Sequence, residues 1–319
     1  MPASDRLVSH LKSTYYAPRG RGRMYDLGIQ LSQLYLLPSD KLIGIMGDPG
    51  SGKSAVVKGM FPGLELSNDD DGVNVRPLPI LSAGEANDFF SPHTYHVDIR
   101  FECAFTQMHI LADAIMSAIK KGKRVAVEHF ELIYPMLPIN ADLLIGIGEE
   151  VIISRPGIFG PEPREIYDTV HASLPYRLMA HTAEDLCEFF MKPETVAKCT
   201  HGDVRHGFTM SFRDEMPDVS LAVLEENVNA AIASDLPVSY ADETHINIGP
   251  QRHFCTGPRI HVVSTGKIVG FRLLPEFVHD RIRNCYILVG CVGEDSEENI
   301  RKLEKMRRQN DEIEVFGRY

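Results

Sequence analysis

The sequence has no surplus of positive charge, no long apolar run and no closely paired cysteines. Its 33 lysines and arginines face 44 aspartates and glutamates, so an RNA partner would need a local basic patch. No apolar stretch approaches the roughly 20 residues that span a bilayer, and the first residues lack the pattern of a signal peptide. The six cysteines form no CxxC pair, which is typical of reduced proteins. We therefore predict a cytoplasmic protein without a membrane partner.

The composition is that of a folded globular protein with about two domains. The chain has 319 residues, of which 44% are hydrophobic, and a domain typically holds roughly 150 residues. Apolar periodicity and turn residues divide it into a helical N-terminal segment (1–40), an α/β domain (41–175), an α+β domain (176–290) and a charged C-terminal helix with a tail (291–319). The predicted fold is thus an α/β domain with a mainly parallel sheet, followed by an α+β domain.

The N-terminal segment contains two helix candidates, Asp5–Leu11 and Tyr25–Leu36. Between them, arginines alternate with glycines within Ala17–Arg23. Such a run suits a mobile loop that contacts phosphate, because arginines supply charge and glycines free the backbone. The alternative is a solvated linker whose charge is incidental. Both interpretations remain open from the sequence.

In the α/β domain, short apolar strands alternate with helices, which favours a mainly parallel sheet. A cluster of prolines and glycines over 156–163 then indicates a connection between domains. The predicted elements are strands at Leu42–Met46 and Leu64–Leu66, a helix over Met108–Ile119, and strands at Arg124–Val127, Leu143–Ile147 and Val151–Ile153.

The residues after the first of these strands match GxxxxGK[ST], the phosphate-binding loop (P-loop) of nucleotide-binding proteins. The context agrees, because the motif follows an apolar strand and precedes a plausible helix start. Glycines allow backbone N–H groups to curl around phosphates, Lys53 would reach the β- and γ-phosphates of ATP or GTP, and the Ser54 hydroxyl would bind Mg²⁺. The predicted nucleotide-binding residues are Gly47, Asp48, Pro49, Gly50, Ser51, Gly52, Lys53, Ser54 and Ala55.

A P-loop also needs an acidic residue close to the metal, usually at the end of a neighbouring strand. Glu128 follows the strand Arg124–Val127, and Asp98 ends the segment Tyr95–Asp98. We favour Glu128 as a catalytic residue, together with Lys53, because ligands bind at the carboxyl edge of open α/β sheets. The alternative is that Glu128 only caps the end of its strand.

Three adjacent aspartates lie within Ser67–Gly72, after the predicted strand at Leu64–Leu66. With the P-loop, this acidic run resembles the small nucleoside and nucleotide kinases, in which an acid at this position contacts or deprotonates the acceptor hydroxyl. The resemblance makes Asp69 and Asp70 candidate catalytic residues, whereas a solvated turn or a cation site would explain them equally well. The arginines that could stabilise a transferred phosphate are Arg100, Arg155 and Arg164.

Beyond residue 176 the pattern of apolar residues changes again. Strands there are expected to combine with helices in an α+β arrangement. The predicted elements are a helix from His181, a strand at Phe208–Phe212, a helix that starts at Pro217 and continues past Leu221, strands at Val238–Tyr240, His261–Val263, Ile268–Leu274 and Tyr286–Gly290, and a charged surface helix over Glu297–Arg308.

Four segments in this half resemble the editing domain of alanyl-tRNA synthetase and its free-standing relatives. The segments are His181–Leu186, Gly207–Phe212, the run from Leu221 to Val238, and Cys255–Ile268. The last is similar to the family's Cys-Gly-Gly-Thr-His stretch with two residues added. The likeness covers about residues 176–275, and the whole chain resembles bacterial P-loop proteins that carry this second additional domain of the synthetase.

In that family a zinc ion, held by an HxxxH pair and a CxxxH pair, positions the 3′ end of a mischarged tRNA for hydrolysis. The resemblance assigns the ligands to His181 and Asp185, spaced i, i+4 on a helix, and to Cys255 and His261. Because Asp185 stands where the family has histidine and the second pair is longer, either a changed zinc site or a fold that has lost the chemistry is expected.

Further histidines nearby fit either a metal or acid–base role or an ordinary surface or core role. They are His201, His206, His245 and His253.

These observations leave three hypotheses of function. The first is an ATP-dependent phosphotransferase or NTPase whose second domain recognises an amino acid, an aminoacyl group or tRNA. The second is a zinc-dependent, trans-acting aminoacyl-tRNA deacylase in which nucleotide binding is regulatory. The third is a non-enzymatic binding module in which a bound nucleotide controls the binding of a small ligand or RNA. We favour the first, with Mg²⁺ and ATP or GTP as its cofactors and Zn²⁺ as a further candidate, because it uses the strongest motif directly.

Overall fold

The computed structural model describes residues 12–67, 78–82 and 93–305. The chain forms two compact units. The first runs to Ala17 and resumes over Arg21–Ser173, and the second comprises Pro18–Gly20 and the chain from Leu174. The division falls inside one long helix, so the stretch at 156–163 that the sequence indicates as the connection lies within the first unit. None of the described helices combines the length and apolar character needed to cross a bilayer.

A six-stranded mixed sheet organises the first unit. Its elements are β1 (Lys12–Tyr16), α1 (Arg21–Tyr35), β2 (Leu42–Met46), α2 (Lys53–Met60), β3 (Thr94–Asp98), α3 (Ile99–Glu102), α4 (Met108–Lys120), β4 (Arg124–Glu128), α5 (Phe130–Ile133), β5 (Leu143–Ile147), β6 (Glu150–Ser154) and the first part of α6 (Pro163–Phe190). In the order β1-β6-β5-β2-β4-β3, strands β5, β2, β4 and β3 run parallel and the other two pairings are antiparallel. The unit is therefore a mostly parallel sheet with helices, in agreement with the predicted class.

The central elements match the sequence pattern closely. The strands predicted at Leu42–Met46, Arg124–Val127 and Leu143–Ile147 and the helix at Met108–Ile119 are confirmed to within one residue. Strands β2 and β5 are buried along their whole length, as parallel strands covered on both faces are. The strand at Val151–Ile153 is also confirmed but pairs antiparallel with β5, because a parallel connection would need a long crossover.

Other predictions for this unit differ from the structure or lie outside the described residues. Leu64–Leu66 is irregular rather than a strand. Lys12–Tyr16, placed in a helical segment by the sequence analysis, forms the edge strand β1, in which threonine and two tyrosines favour extended structure. The helix expected over Tyr25–Leu36 begins earlier, at Arg21, and the helix candidate Asp5–Leu11 lies outside the described residues.

Helices α1 and α2 approach so closely that glycines are required where they cross. A Cβ on Gly59 would lie 2.0 Å from the Tyr25 carbonyl oxygen, and one on Gly28 would lie 2.3 Å from that of Val56. We expect Gly59→Ala to lower the free energy of unfolding by about 1–3 kcal/mol, because the helices must separate. Urea denaturation measures the loss. Gly22→Ala, with no neighbour within 4 Å of its added methyl group, is the control, and equal midpoints for both variants would contradict the prediction.

The second unit contains the remainder of α6 and two antiparallel sheets. Its further elements are α7 (Pro193–Val196), β7 (Cys199–Val204), β8 (Gly207–Arg213), α8 (Leu221–Ala233), β9 (Val238–Asp242), β10 (His245–Ile248), β11 (Gln251–Phe254), β12 (Arg272–Leu273), β13 (Val278–Asp280), β14 (Cys285–Cys291) and α9 over 296–305. One sheet has the order β11-β10-β9, and the other has the order β12-β14-β8-β7 with β13 beside β14. Apolar side chains from both sheets, α6 and α8 share one core, which agrees with an α+β class.

Most predicted elements of this unit are present with shifted bounds. The strands at Phe208–Phe212, Val238–Tyr240 and Tyr286–Gly290 are confirmed. The helix predicted from His181 is the second half of the longer helix α6. The described part of the predicted helix Glu297–Arg308 is helical.

Three predictions for this unit are wrong. Helix α8 begins at Leu221 with Ser220 as its N-cap, four residues after the predicted start at Pro217. His261–Val263 is irregular, and only two residues of Ile268–Leu274 form a strand.

Candidate functional sites

The glycine-rich loop, Gly47–Ser54, connects β2 to α2 at the carboxyl end of β2. In the sheet, β3 and β4 lie on one side of β2, whereas β5 and β6 lie on its other side, so the strand order reverses direction at β2. Such a switch point leaves a crevice outside the carboxyl ends of the strands, where ligands bind in open α/β sheets. The loop therefore occupies the position in the first unit at which a ligand site is expected.

Glycines let the loop follow a path that side chains would obstruct. Gly47, Gly50 and Gly52 have φ angles of 145°, 81° and 102°, which favour glycine. A Cβ on Gly47 would also lie 2.6 Å from the carbonyl oxygen of Ile147. The loop leads into the first turn of α2, whose N–H groups have no partners within the helix.

Three polar side chains meet beside this loop. Lys53 Nζ donates to the carbonyl oxygen of Asp48 over 3.0 Å and lies 4.0 Å from Glu128 Oε2. Ser54 Oγ donates to Glu128 Oε1 over 2.9 Å. The parallel pairing of β2 with β4 produces this meeting, because it sets Glu128 opposite Ile45, just before the loop.

Asp98, the other acid that the sequence considers, has a different contact. It ends β3 beside Glu128 in the register of the sheet. Its Oδ1 accepts a hydrogen bond from the N–H of Phe101 over 3.1 Å, so the side chain caps α3. The structure thus brings Glu128 to Ser54 and gives Asp98 a capping role.

His96 supports Glu128 and was missed by the sequence analysis. Its Nδ1 accepts a hydrogen bond from the N–H of Ser67 over 2.9 Å, so the ring proton resides on Nε2. Nε2 lies 3.2 Å from Glu128 Oε1 and donates to it. The available signal was a histidine inside an otherwise apolar strand, which needs a buried partner.

Glu128 is ionised in this setting. Burial opposes ionisation, but the hydrogen bond from His96, the charge of Lys53 and the hydrogen bond from Ser54 outweigh it and lower the pKa of Glu128 to about 2. A carboxylate with so low a pKa is a weak proton acceptor. Together with the Ser54 hydroxyl it offers the oxygen donors that Mg²⁺ prefers, so these residues fit that ion.

Asp48 anchors the glycine-rich loop to the first part of α6. The hydroxyl of Tyr167 donates to Asp48 Oδ1 over 3.1 Å, and His171 Nδ1 lies 2.6 Å from Oδ2. The rings of Tyr167 and His171 stack with their planes 14° apart. Neither residue was singled out from the sequence, because both are distant from the motif along the chain.

A cavity of about 640 Å³ opens beside His96. Its lining includes Ser67, Ile80 and the segment that follows α2. This volume is typical of small-molecule sites. Asp69 and Asp70, predicted as catalytic residues, lie outside the described residues.

The three candidate phosphate-binding arginines are placed differently. Both terminal nitrogens of the buried Arg155 bind Asp40, over 2.8 and 2.7 Å, so this side chain is committed to the fold. Arg164 pairs with Asp168 on the exposed surface of α6 over 2.8 Å. Arg100 is exposed on α3.

A second cluster of buried polar groups surrounds the C-terminal half of α6, within the second unit. Arg19, only 3% exposed, donates to Glu184 Oε2 over 2.6 Å and pairs with Asp185. Both carboxylates are also buried. Arg19 is therefore an internal counter-charge, rather than part of the phosphate-contacting loop or solvated linker that the sequence suggests.

Three of the four residues that the resemblance assigns to zinc meet in this cluster. Asp185, Cys255 and His261 each bring a donor atom within 4.8 Å of the other two. His261 Nε2 lies 2.8 Å from Asp185 Oδ2 and 3.7 Å from Cys255 Sγ. The fourth residue, His181, instead faces Asp203 Oδ1 over 3.4 Å.

The guanidinium of Arg19 lies against two of these three donors. It pairs with Asp185 Oδ1 and donates to Cys255 Sγ over 3.2 Å. The N–H of Gly257 donates to the same sulfur over 3.3 Å. A zinc ion about 2.0–2.3 Å from these donor atoms would lie next to a fixed positive charge. The residues implied by the resemblance therefore do not fit a zinc ion in this structure.

Histidines around this cluster differ in their protonation. Burial lowers the pKa of His261 to about 3 and that of His181 to about 4. For His201 burial acts in the same direction, but hydrogen bonds to Cys199 and Glu184 outweigh it and raise the pKa to about 10. His261 and His181 are thus neutral at neutral pH, whereas His201 is charged among its carboxylate and thiol neighbours.

Three further histidines that the sequence singled out, His206, His245 and His253, also have contacts in the second unit. His206 stacks on Tyr176 with ring centroids 3.6 Å apart, and His245 Nδ1 lies 2.9 Å from Asp242 Oδ1. These two contacts are structural. His201 Nε2 and His253 Nε2 lie 3.4 and 3.6 Å from the carboxylate of Glu188, near the end of α6.

Neither the models of known protein families nor the curated proteins compared with this chain give a match. The resemblance to small kinases and to the editing domain therefore rests on the sequence motifs alone.

Proposed function

We propose that the first unit binds ATP or GTP with Mg²⁺ at the glycine-rich loop and acts as a phosphotransferase or NTPase. The observation that carries this proposal is the meeting of Lys53, Ser54 and Glu128 at the carboxyl end of β2. The loop beside them contains three glycines with positive φ. Phosphoryl transfer needs these groups: backbone amides and a lysine for the phosphates, and a hydroxyl and a carboxylate for the metal.

Each residue has a distinct role in this proposal. Lys53 is held at the loop by the carbonyl oxygen of Asp48, from which it can contact the phosphate oxygens. Ser54 and Glu128 would hold Mg²⁺, which neutralises phosphate charge when bound. The low pKa of Glu128 favours this role over that of a general base.

The cavity beside His96 favours transfer to an acceptor over simple hydrolysis. His96 lines the cavity and also contacts Glu128, so a molecule held there would lie next to the glycine-rich loop. For the second unit, recognition of an amino acid, an aminoacyl group or tRNA is proposed on the sequence resemblance. The deacylase hypothesis is less favoured, because Arg19 lies against the donors that its zinc ion would need.

Lys53→Met tests the nucleotide site. Removing the ammonium group is expected to lower nucleotide turnover by at least about 100-fold, because it no longer offsets charge that develops on the transferred phosphate. Turnover is measured as phosphate release from ATP and from GTP with Mg²⁺, and affinity is measured by calorimetry.

Lys120→Met is the matched control, because Lys120 is exposed at the end of α4. It should leave affinity and turnover unchanged. Full turnover in Lys53→Met would exclude the proposed phosphotransferase or NTPase, and the absence of nucleotide binding by the unaltered chain would exclude the site altogether.

A further inference from the structure

Asp48 puts a negative charge in the glycine-rich loop, which the proposed function assigns to an anionic ligand. It is the only acidic residue within Gly47–Ser54. Its backbone carbonyl oxygen accepts a hydrogen bond from Lys53 Nζ over 3.0 Å, so the residue also holds the lysine at the loop. Because like charges repel, a free carboxylate in this loop would oppose the binding of a nucleoside triphosphate.

The side chain of Asp48 is not free, because α6 binds both of its carboxylate oxygens. The Tyr167 hydroxyl donates to Oδ1 over 3.1 Å, and His171 Nδ1 lies 2.6 Å from Oδ2. An ionised carboxylate only accepts hydrogen bonds, so the imidazole nitrogen is the donor. Burial and the carboxylate of Asp48 raise the pKa of Tyr167, which keeps its hydroxyl protonated and able to donate at neutral pH.

Close packing of α6 on the sheet fixes these two partners. Tyr167 and His171 are four residues apart and therefore share one face of the helix. Their rings stack with centroids 5.5 Å apart. Ile166 and Val170 are buried, and a Cβ on Gly146 of β5 would lie 2.4 Å from Ile166 Cγ2. Such tight contact leaves the helix little room to move away from the sheet.

The contact between His171 and Asp48 matters more to the loop than to the stability of the fold. The side chain of His171 is 59% exposed and that of Asp48 is 19% exposed. Ion pairs with this degree of exposure contribute little to folding. At the loop, by contrast, the same contact determines where a carboxylate lies relative to a bound anion.

We propose that Tyr167 and His171 are positioning residues of the nucleotide site. They hold the carboxylate of Asp48 against α6 and away from the phosphates of ATP or GTP. The protonated form of His171 also cancels the negative charge of Asp48. The inference rests on the proposed function, because it concerns the same loop. Neither side chain needs to touch the nucleotide, so the effect of both residues depends on the charge of Asp48.

Variants that keep the aromatic rings but lose the donors test the proposal on the full chain. Tyr167→Phe and His171→Phe are each expected to weaken the binding of ATP and GTP by about 10-fold, the loss expected for one hydrogen bond to a charged group. Calorimetry with Mg²⁺ measures the affinity. Turnover at saturating nucleotide should change by less than about 3-fold, because Lys53, Ser54 and Glu128 are unaltered.

His109→Phe is the matched control, because His109 is exposed on α4. It should bind both nucleotides as the unaltered chain does. Circular dichroism establishes that each variant is folded. Unchanged nucleotide affinity in both Tyr167→Phe and His171→Phe would overturn the proposal.

Removal of the charge at position 48 supplies the second readout. His171→Phe is repeated in a chain that carries Asp48→Asn, in which there is no carboxylate to hold. There it should change nucleotide affinity by less than about 2-fold, because the two residues act as one unit. Equal weakening in both chains would overturn the proposal, since His171 would then contact the nucleotide directly or support the fold.

The same titrations separate this inference from the proposed function. Absence of nucleotide binding by the unaltered chain would refute both. Nucleotide turnover that is lost in Lys53→Met, together with an affinity that does not depend on Tyr167 or His171, would refute the inference alone.

Discussion

Replacing Arg19 by methionine is expected to lower the free energy of unfolding by about 3–5 kcal/mol, because it leaves buried carboxylates without their counter-charge. Arg19 is almost fully buried and binds Glu184 and Asp185, which are 1% and 0% exposed. Methionine fills much of the same volume, so the loss reports the charge rather than a cavity. Urea denaturation of the chelator-treated chain measures it.

An exposed arginine provides the control for this variant. Arg164 pairs with Asp168 on the surface of α6, where ion pairs contribute little. Arg164→Met should change the free energy of unfolding by less than about 0.5 kcal/mol. A loss in Arg19→Met no larger than that in Arg164→Met would show that the buried pairs do not stabilise the fold.

The effect of Arg19→Met should also depend on pH. Burial raises the pKa of Glu184, but the charge of Arg19 and the contact with His201 outweigh it and hold the pKa below its ordinary value of 4.5. A lowered folded-state pKa stabilises the fold above the ordinary value, and this contribution disappears as the pH falls through the folded-state pKa. The difference in free energy of unfolding between the unaltered chain and Arg19→Met should therefore become smaller as the pH is lowered from about 7 to about 3. An equal difference at both values would contradict this assignment.

Glu128→Gln is expected to lower nucleotide turnover by about 100- to 1000-fold while leaving the nucleotide able to bind. Glutamine keeps the size of the side chain and can still accept the hydrogen bonds from Ser54 and His96. It lacks the negative charge that would hold Mg²⁺ and that faces Lys53. Affinity measured with and without Mg²⁺ separates the two effects, because only the Mg²⁺-dependent part should fall.

Asp98→Asn is the matched control for this variant. Asp98 is adjacent to Glu128 in the register of the sheet, yet its side chain caps α3. The change is expected to cost at most about 1 kcal/mol of stability and to leave turnover intact. Equal loss of turnover in Glu128→Gln and Asp98→Asn would show that turnover depends on the total negative charge at these strand ends and not on Glu128 specifically. Full turnover in Glu128→Gln would show that Glu128 has no role in the proposed mechanism.

The elements that were predicted correctly are those with a clear apolar pattern in consecutive residues. Strands β2 and β5 form continuous apolar runs, and α4 places Leu111 and Ile115 on one buried face at helical spacing. Errors occur where an element depends on a pairing partner that is distant along the chain. Lys12–Tyr16 is a strand because β6 offers an open edge to pair with, and that edge exists only in the assembled sheet.

The candidate sites divide in the same way. The glycine-rich loop is visible in the sequence, because its glycines, lysine and serine are consecutive and act through local backbone geometry. The sequence does not reveal the roles of His96, Tyr167 and His171, because each contacts a residue of another element. Helical spacing likewise shows that positions 181 and 185 share a face of α6, but it carries no information about which cation faces them.

By itself, then, the sequence determined the central strands, the glycine-rich loop and two acids that could serve it. Only the tertiary structure decided that Glu128 rather than Asp98 meets Ser54, that Arg19 is an internal counter-charge, and that His181 faces Asp203 rather than Asp185. The physical reason is that a backbone conformation depends on consecutive residues, whereas the partner of a buried charge is chosen by which elements pack together.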